Sequence, residues 1–510
     1  MSDQGSANGA AVGVLDPDAA SFVSFDPASG AEVASFPNQT AAEAAAAVAE
    51  ARRAFAWWSG LTWAERERRL RRWAGVISRE QAELCELIHS ENGKPRDDAF
   101  LEVFLAIEHI SWAAGHARKV LRPRRVASGL LMSNHAASLE YQPLGVVGVI
   151  GPWNYPVFTP MGSIAYALAG GNAVVFKPSE YTTAIGKWLV DSFARANADA
   201  PHPVLQLLTG TGATGAALCA SGVDKLAFTG SARTGRKVMA ACAETLTPVL
   251  MECGGKDAMI VAGDANLKAA ADGALWGAMS NAGQTCVGIE RVYVVDAVKD
   301  RFVSELSSQI KALALKPGEG PDAAYGPMTM PSQLDIVRRH VDDAIAKGAT
   351  LVEGGTASVG DRYVEPVVLL DTPEDSSAVR EETFGPTITV TGVKDVEEAI
   401  ALANATDYGL GASVYAKRNG LSIARRLRSG MTSVNAVIAF AGVPGLPFGG
   451  VGESGFGRIH GADGLREFTR PKAITRRRFT TPLEPSTFAR NAKTLPIMKK
   501  YMQVRHGRAK

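Results

Sequence analysis

Between residues 139 and 261 the chain alternates short, almost wholly apolar runs with helix-length segments, and this alternation limits its fold more than any other feature. Val146-Val-Gly-Val-Ile150, Asn172-Ala-Val-Val-Phe176, Val204-Leu-Gln-Leu-Leu208, Lys225-Leu-Ala-Phe228, Pro248-Val-Leu-Met251 and Ala258-Met-Ile-Val261 each have the length of a buried strand. Strands that are apolar on both faces and joined through helices build a mostly parallel sheet with helices on either side. Ligands of such sheets bind beyond the carboxyl ends of the strands. Asn154, Lys177, Ser231 and Glu252 fall at those ends. A second α/β region follows from about 264 to 450, with strands expected at 291–295, 387–391 and 413–415 and helices at 298–314, 332–347 and 396–405.

Ahead of the strands, Phe25 to Phe36 reads as a small surface hairpin. Thr40 with Glu43, Thr62 with Glu65 and Ser78 with Gln81 each have the spacing of a helix capping box. The helices they begin end near Asn92-Gly93, and Trp57, Trp58, Trp63 and Trp73 read as packing groups. Residues 316–331 and 353–362 are rich in Gly and Pro and read as surface connections. Met1 to Ala20 has neither a basic start nor an apolar run, so it reads as a loose arm rather than a secretory signal.

A chain of 510 residues exceeds one core and divides into two or three domains. Five cysteines (Cys85, Cys219, Cys242, Cys253 and Cys286) without close pairing point away from a disulfide scaffold or a metal site and towards a reducing, cytoplasmic setting. The most apolar region, Leu144 to Phe176, is broken by Pro152, Asn154, Pro156, Pro160 and a Gly-Gly-Asn turn and does not read as a membrane span.

One cysteine stands apart. Asn281-Ala-Gly-Gln-Thr-Cys286-Val287 follows a helical run (Leu267 to Met279) and precedes a strand, so Cys286 lies at a junction of small and polar residues where a thiol is accessible. Most free cysteines are simply small buried hydrophobes, and Cys286 alone fits that description too. Other motifs change the balance. Met251-Glu252-Cys253-Gly-Gly-Lys256 puts a carboxyl at the end of an apolar strand, where burial raises its pKa and suits it to take a proton from water. Gly151-Pro-Trp-Asn154-Tyr-Pro156 holds a side-chain amide in a stiff turn, fit to donate to an oxyanion. Phe228-Thr-Gly-Ser-Ala-Arg-Thr-Gly235 joins a strand to a helix N-terminus, an anion-binding arrangement. Phe176-Lys177-Pro-Ser-Glu180 offers a donor and an acceptor to a ribose, with Glu180 repelling a 2′-phosphate. Glu381-Glu382-Thr-Phe384-Gly-Pro386 is a turn with acidic and aromatic groups, and Pro447-Phe-Gly-Gly450 is a further Gly-rich segment.

These motifs, in this order over residues 22 to 475, closely resemble the aldehyde dehydrogenase superfamily in its hydrolytic, NAD(P)-dependent branch. The resemblance implies a Rossmann-like cofactor domain (21–124 and 144–253) and a second α/β catalytic domain (254–450). It also implies a small β oligomerisation extension (125–143 and 451–485), leaving the 1–20 arm and a basic tail at 486–510. It further implies Cys286 as nucleophile, Glu252 as general base, and Asn154 with the Cys286 amide as oxyanion hole. Trp153, Lys177, Ser179, Glu180, Gly230, Ser231, Gly235, Glu382 and Phe384 are the implied cofactor contacts, for NAD with NADP as the alternative. Two departures stand out: Cys253 where the family commonly has leucine, and Gly452 where many members have lysine.

Around these positions Tyr155, Phe158, Thr159, Thr285, Val287, Phe440 and Phe448 are the expected substrate wall, joined by Val157 and Gly162. None is charged, which favours an apolar aliphatic or aromatic aldehyde over a semialdehyde acid. A CoA-acylating enzyme has no need of Glu252, and a non-catalytic binding protein has no need of Cys286 or Glu252. The resemblance implies as partners a small-molecule aldehyde and further copies of the chain, as a homodimer or homotetramer. The net charge of +2 conceals a basic end: residues 470–510 carry twelve Lys/Arg against one acid, Glu484. That tail reads first as an extension packing across a neighbouring subunit and second as a contact with an anionic membrane surface. Nucleic-acid binding is not expected.

Overall fold

The computed structural model describes residues 19–319, 323–481 and 484–507. The loose arm expected at 1–20 lies almost wholly outside them. By internal contacts the chain forms two units: one from Met1–Val120 with Pro143–Thr469, the other from Leu121–Gln142 with Arg470–Lys510. Strands are numbered β1–β18 along the chain.

The first unit opens with a hairpin of Ser21–Phe25 (β1) and Glu32–Pro37 (β2); the span expected for it, Phe25 to Phe36, holds the turn and second strand, and the first strand begins earlier. Helix α1 (Ala41–Gly60) begins with a complete capping box: Thr40 accepts from the Glu43 amide and Glu43 accepts from the Thr40 amide. For α2 (Trp63–Arg79) only half the box forms, with Thr62 accepting from the Glu65 amide while the Glu65 carboxylate turns to Arg68 and Arg69. The third expected box does not exist. Ser78 is still within α2, and α3 (Gln81–Asn92) starts at Glu80 without a side-chain cap. It ends where expected, at Gly93 in the left-handed region. A helix not anticipated from sequence, α4 (Arg96–Leu121), follows. Trp58 and Trp73 are fully buried.

A six-stranded sheet then runs in the order β17 (Gly455–Phe456), β9 (Val249–Cys253), β8 (Lys225–Gly230), β5 (Val146–Ile150), β6 (Ala173–Lys177), β7 (Leu205–Leu207). All its pairs are parallel except β17 on β9. Chain order moves outward from β5 to β6 and β7, then returns to the other side for β8 and β9. This reversal opens a crevice at the carboxyl ends of β5, β6 and β8. Helices α5 (Phe158–Gly170), α6 (Thr183–Ala196), α7 (Gly212–Ala220) and α8 (Ala232–Ala243) make the crossovers.

Gly254-Gly255-Lys256 carries the chain from β9 into β10 (Asp257–Val261) of a second sheet. Its order is β12 (Thr350–Glu353), β13 (Val367–Leu370), β14 (Thr387–Val393), β11 (Ile289–Val295), β10, β15 (Ala412–Tyr415), β16 (Ser433–Val434). Only the β12–β13 edge pair is antiparallel. Both faces are covered, so alternate residues of β10 enter different cores: Met259 and Val261 in one, Ala258 and Ile260 in the other. That is why the strand reads as continuously apolar. Helices α9 (Leu267–Met279), α10 (Asp296–Ala312) and α11 (Gln333–Ala346) pack alongside. The segment expected as a surface connection at 316–331 is buried in part. Tyr325 and Met328 enter the core, and Gly326 lies so close to the Gly93 carbonyl that a side chain would collide with it.

The second unit contains a three-stranded sheet in the order β18 (Thr469–Arg477), β4 (His135–Pro143), β3 (Arg124–Val126). It also holds a helix at Thr494–His506 that exposes Leu495, Ile497, Met502 and Val504. Among the described residues no helix is long and apolar enough to cross a membrane.

Candidate active site

The two sheets meet head to tail. The carboxyl end of β9 brings Glu252, and the loop between α9 and β11 brings Cys286. Asn281, Ala282 and Gly283 all take left-handed backbone angles there (φ +53°, +56° and +71°). At Gly283 a Cβ would come within 2.1 Å of the Gly385 carbonyl oxygen, so only glycine gives both the angle and the approach. At Gly255 a Cβ would lie 2.6 Å from the carbonyl oxygen of Cys286. The turn after Glu252 thus touches the cysteine loop directly.

Cys286 and Glu252 line one cavity of about 930 Å³, counting its open mouth, together with Tyr155, Phe158, Thr159, Thr285, Val287 and Phe448. Phe440 does not line it. Its ring packs behind Phe448, 6.3 Å away between centroids. Gly162 also lies outside the wall, against the buried ring of His460. Sequence reasoning missed a whole side of the cavity: Lys94, Asp98, Leu101, Glu102 and Leu105 from α4 and its approach, and Trp276 from α9. The i, i+3, i+4, i+7 spacing of the four α4 residues was the available signal.

Glu252 is 3% exposed and neither carboxylate oxygen has a hydrogen-bond partner. Burial drives its pKa well above the carboxylate range, with Arg458 opposing weakly. Cys286 is part-exposed in the cavity. Burial first, then the charges of Glu382, Asp257 and Glu252, pushes its thiol upward, against one hydrogen bond from the Val287 amide. Both effects favour the protonated thiol in the free protein.

Asn154 is buried beside the cavity, and its side-chain amide donates to the Gln284 carbonyl (2.9 Å). Its own carbonyl accepts from Asn281 Nδ2 (3.0 Å) and Lys94 Nζ (3.1 Å). Gln284 in turn donates to the Pro327 carbonyl and accepts from the Thr329 amide. This is the use of the buried 325–329 stretch. Lys94 pairs with Glu102, whose other oxygen accepts from the first amides of α5, Val157 (2.8 Å) and Phe158 (3.0 Å). Tyr155 hydroxyl meets Thr285 Oγ1 at 3.0 Å.

The residues expected to hold a dinucleotide gather at the crevice of the first sheet. Trp153 follows β5 and meets Phe384 edge-on (5.4 Å, 85°). Lys177 ends β6, 3% exposed, with its ammonium 3.3 Å from Glu180, and Ser179 lies buried between them. Gly230 ends β8, and Ser231 caps α8 by accepting from the Thr234 amide. Gly235 packs near the Cys253 sulfur. Glu382 accepts from the Gly255 amide (3.0 Å), and burial lifts its pKa to about 8. Its loop is held by the buried Lys256–Glu290 pair, because Glu290 also accepts from the Thr383 and Phe384 amides. A helix N-terminus, a buried ammonium and two aromatic rings suit a dinucleotide's phosphates, ribose and bases. The departure at Gly452 has a local cause: φ is +63° and a Cβ would lie 2.4 Å from the Asp407 carbonyl oxygen.

The "Aldehyde dehydrogenase family" model matches residues 15–474. A 4,4'-diapolycopene aldehyde oxidase of a Methylomonas species is 38% identical over 491 residues, covering 95% of this chain and 91% of that protein. A Mycolicibacterium smegmatis protein, named provisionally as a succinate-semialdehyde dehydrogenase using NADP+, is 37% identical over 450 residues, 87% of this chain and 86% of its own. The crystal structure of an NAD-dependent aldehyde dehydrogenase from Sinorhizobium meliloti superposes with a TM-score of 0.86 at 33% identity, over 92% of this chain and 93% of that one. The chain belongs to the aldehyde dehydrogenase family of NAD(P)-dependent oxidoreductases.

Proposed function

We propose that this protein oxidises an uncharged, largely apolar aldehyde to its carboxylic acid, with the acyl group carried on Cys286 and released by water that Glu252 activates. The observation that carries this reading is one apolar cavity holding both a part-exposed thiol and a carboxyl with two unpartnered oxygens. A buried carboxyl without partners is costly for the fold and suits a group that must take up a proton.

Cys286 Sγ attacks the carbonyl carbon and its proton leaves to solvent through the cavity mouth, so Glu252 stays unprotonated for the later step. The second N–H of Asn154, with the Cys286 backbone amide, steadies the oxyanion. Residues 144–253 would hold the dinucleotide through Lys177, Ser179, Glu180, Gly230, Ser231 and Gly235, with Trp153, Glu382 and Phe384 on its nicotinamide side. A bound nicotinamide supplies the two-electron acceptor for the oxidation. Cys286 then carries a thioester, and Glu252 takes a proton from the water that hydrolyses it.

Walls of Phe158, Phe448, Leu105 and Ile459, with Leu101 and Trp276 half-exposed at the same cavity, suit an apolar chain that reaches the rim. The diapolycopene relative acts, by name, on such a compound. The names of the mycobacterial relatives favour a semialdehyde acid instead. Glu180 beside Lys177 favours NAD over NADP. Free cysteines throughout the described residues fit a cytoplasmic setting, and exposed Val126, Leu130, Leu131 and Met132 fit pairing with another copy.

An aldehyde panel with NAD and NADP, followed by reduced-cofactor absorbance, tests this reading. Wild type turns over steadily without CoA, and Cys286→Ala forms no reduced cofactor. Absence of aldehyde-dependent reduction, or a strict need for CoA, overturns it.

A further inference from the structure

Asp98, Leu101, Glu102 and Leu105 form the cavity-facing stripe of α4, and its two carboxylates have unlike surroundings. Glu102 and Lys94 have no exposed side-chain surface and neutralise each other. Lys94 spends its remaining capacity on the Asn154 carbonyl and the face of the Tyr155 ring, 3.9 Å from its centroid. Glu102 spends its own on the α5 amides. Lys94, the one cation of the cavity wall among the described residues, is therefore fully engaged. Asp98, one turn from Lys94, is half-buried and makes no hydrogen bond or ion pair among the described residues. Burial raises its pKa, with Lys94 pulling the other way. The remaining acidic group of the wall is Glu252, and among the described residues neither arginine nor histidine lines the cavity.

Among the described residues no unpaired cation faces the substrate, and Asp98 and Glu252 are its unpaired acids. We infer that Asp98 is a specificity-determining residue that turns away aldehydes bearing their own carboxylate and leaves the cavity to uncharged ones. This rests on the reading of Cys286 as the site of aldehyde attack. Two like charges about 10 Å apart at the dielectric of a protein surface differ from a neutral pair by enough to change kcat/KM roughly tenfold. Salt weakens the discrimination through the open mouth.

The test compares succinate semialdehyde with its methyl ester, which differ in one charge. Wild type is expected to favour the ester. In Asp98→Asn the acid-to-ester ratio of kcat/KM rises about tenfold, and in Asp98→Lys it rises further, with smaller gains at high salt. A second readout needs no turnover: the ratio of Cys286 alkylation rates by iodoacetate and by iodoacetamide rises in the same variants. Ratios that stay within about twofold of wild type in both variants and both readouts, or a wild type that prefers the acid, overturn the role of Asp98. If the ester is still oxidised in that case, the broader reading stands. If wild type oxidises neither compound but turns over other aldehydes, the role of Asp98 falls and the broader reading stands; if it oxidises no aldehyde, both fall.

Discussion

Glu102 and Glu252 line the same cavity and are 2% and 3% exposed, yet the start of α5 and the end of β9 treat them in opposite ways. Around Glu102 every oxygen is engaged, by Lys94, the Val157 amide and the Phe158 amide. Around Glu252 nothing is. A buried carboxylate that is paired and capped works as scaffold; one without partners is costly to keep and remains available for chemistry. Burial by itself therefore does not mark a reactive group. Satisfaction of its hydrogen bonds does.

The largest expected effect breaks the pair apart by function. Glu252→Gln should lower steady turnover by about 10²- to 10⁴-fold while one burst of reduced cofactor per site survives. Sustained turnover in that variant would remove Glu252 from the hydrolytic step. Next, because burial holds the Cys286 thiol above its ordinary range, iodoacetamide should react about tenfold faster per pH unit from 7 upward. A plateau below pH 8 in the free protein would show a thiolate already formed and contradict the surroundings described here.

Stability should show the reverse ranking. Glu102→Ala leaves the buried Lys94 ammonium unpaired and should cost about 3–5 kcal/mol in denaturant unfolding. Replacing both partners, Lys94→Met with Glu102→Leu, should regain most of that stability. Activity should stay low, because Asn154 and the α5 amides lose their anchors. Equal recovery of both quantities would deny the pair any role in positioning. The smallest effect is the mirror image at Glu252. Its raised pKa means the folded state favours the protonated acid, so ionisation costs stability as pH rises above the carboxylate's ordinary 4.5. Glu252→Gln should be more stable than wild type by about 1–3 kcal/mol at neutral pH, the gain vanishing towards pH 4. A gain that persists at low pH would show that charge is not the cause.

Much of this was legible from residue order. The strand at 146–150 and the helix at 267–279 lie where their patterns put them, and the strand expected at 225–228 runs two residues further, to Gly230. The nucleophile loop and the β9 turn could be picked out because a cysteine, a glutamate and their glycines are chemically unusual neighbours. Helix α4 was overlooked although residues 98, 101, 102 and 105 have helical spacing, since Phe100 and Phe104 are exposed apolar residues outside that stripe and blur its pattern. With it went Asp98, Glu102 and the engagement of Lys94, which depend on a partner sixty residues away at Asn154. Tyr325 to Thr329 was misjudged for a related reason. Gly and Pro there serve close contact with Gly93 and Gln284 rather than a solvated bend. Ser78 shows the limit of local spacing: a capping pattern inside a continuing helix caps nothing.

The antiparallel pairing of Gly455 and Phe456 with Glu252 and Met251 has a consequence for biosynthesis. Until residue 456 has been made, β9 is a sheet edge with open amides and carbonyls, and the strand that presents the base is unclamped. The strand that bears Glu252 therefore gains its outer neighbour only after the chain has been extended through Phe456, so its position depends on a segment made long after it.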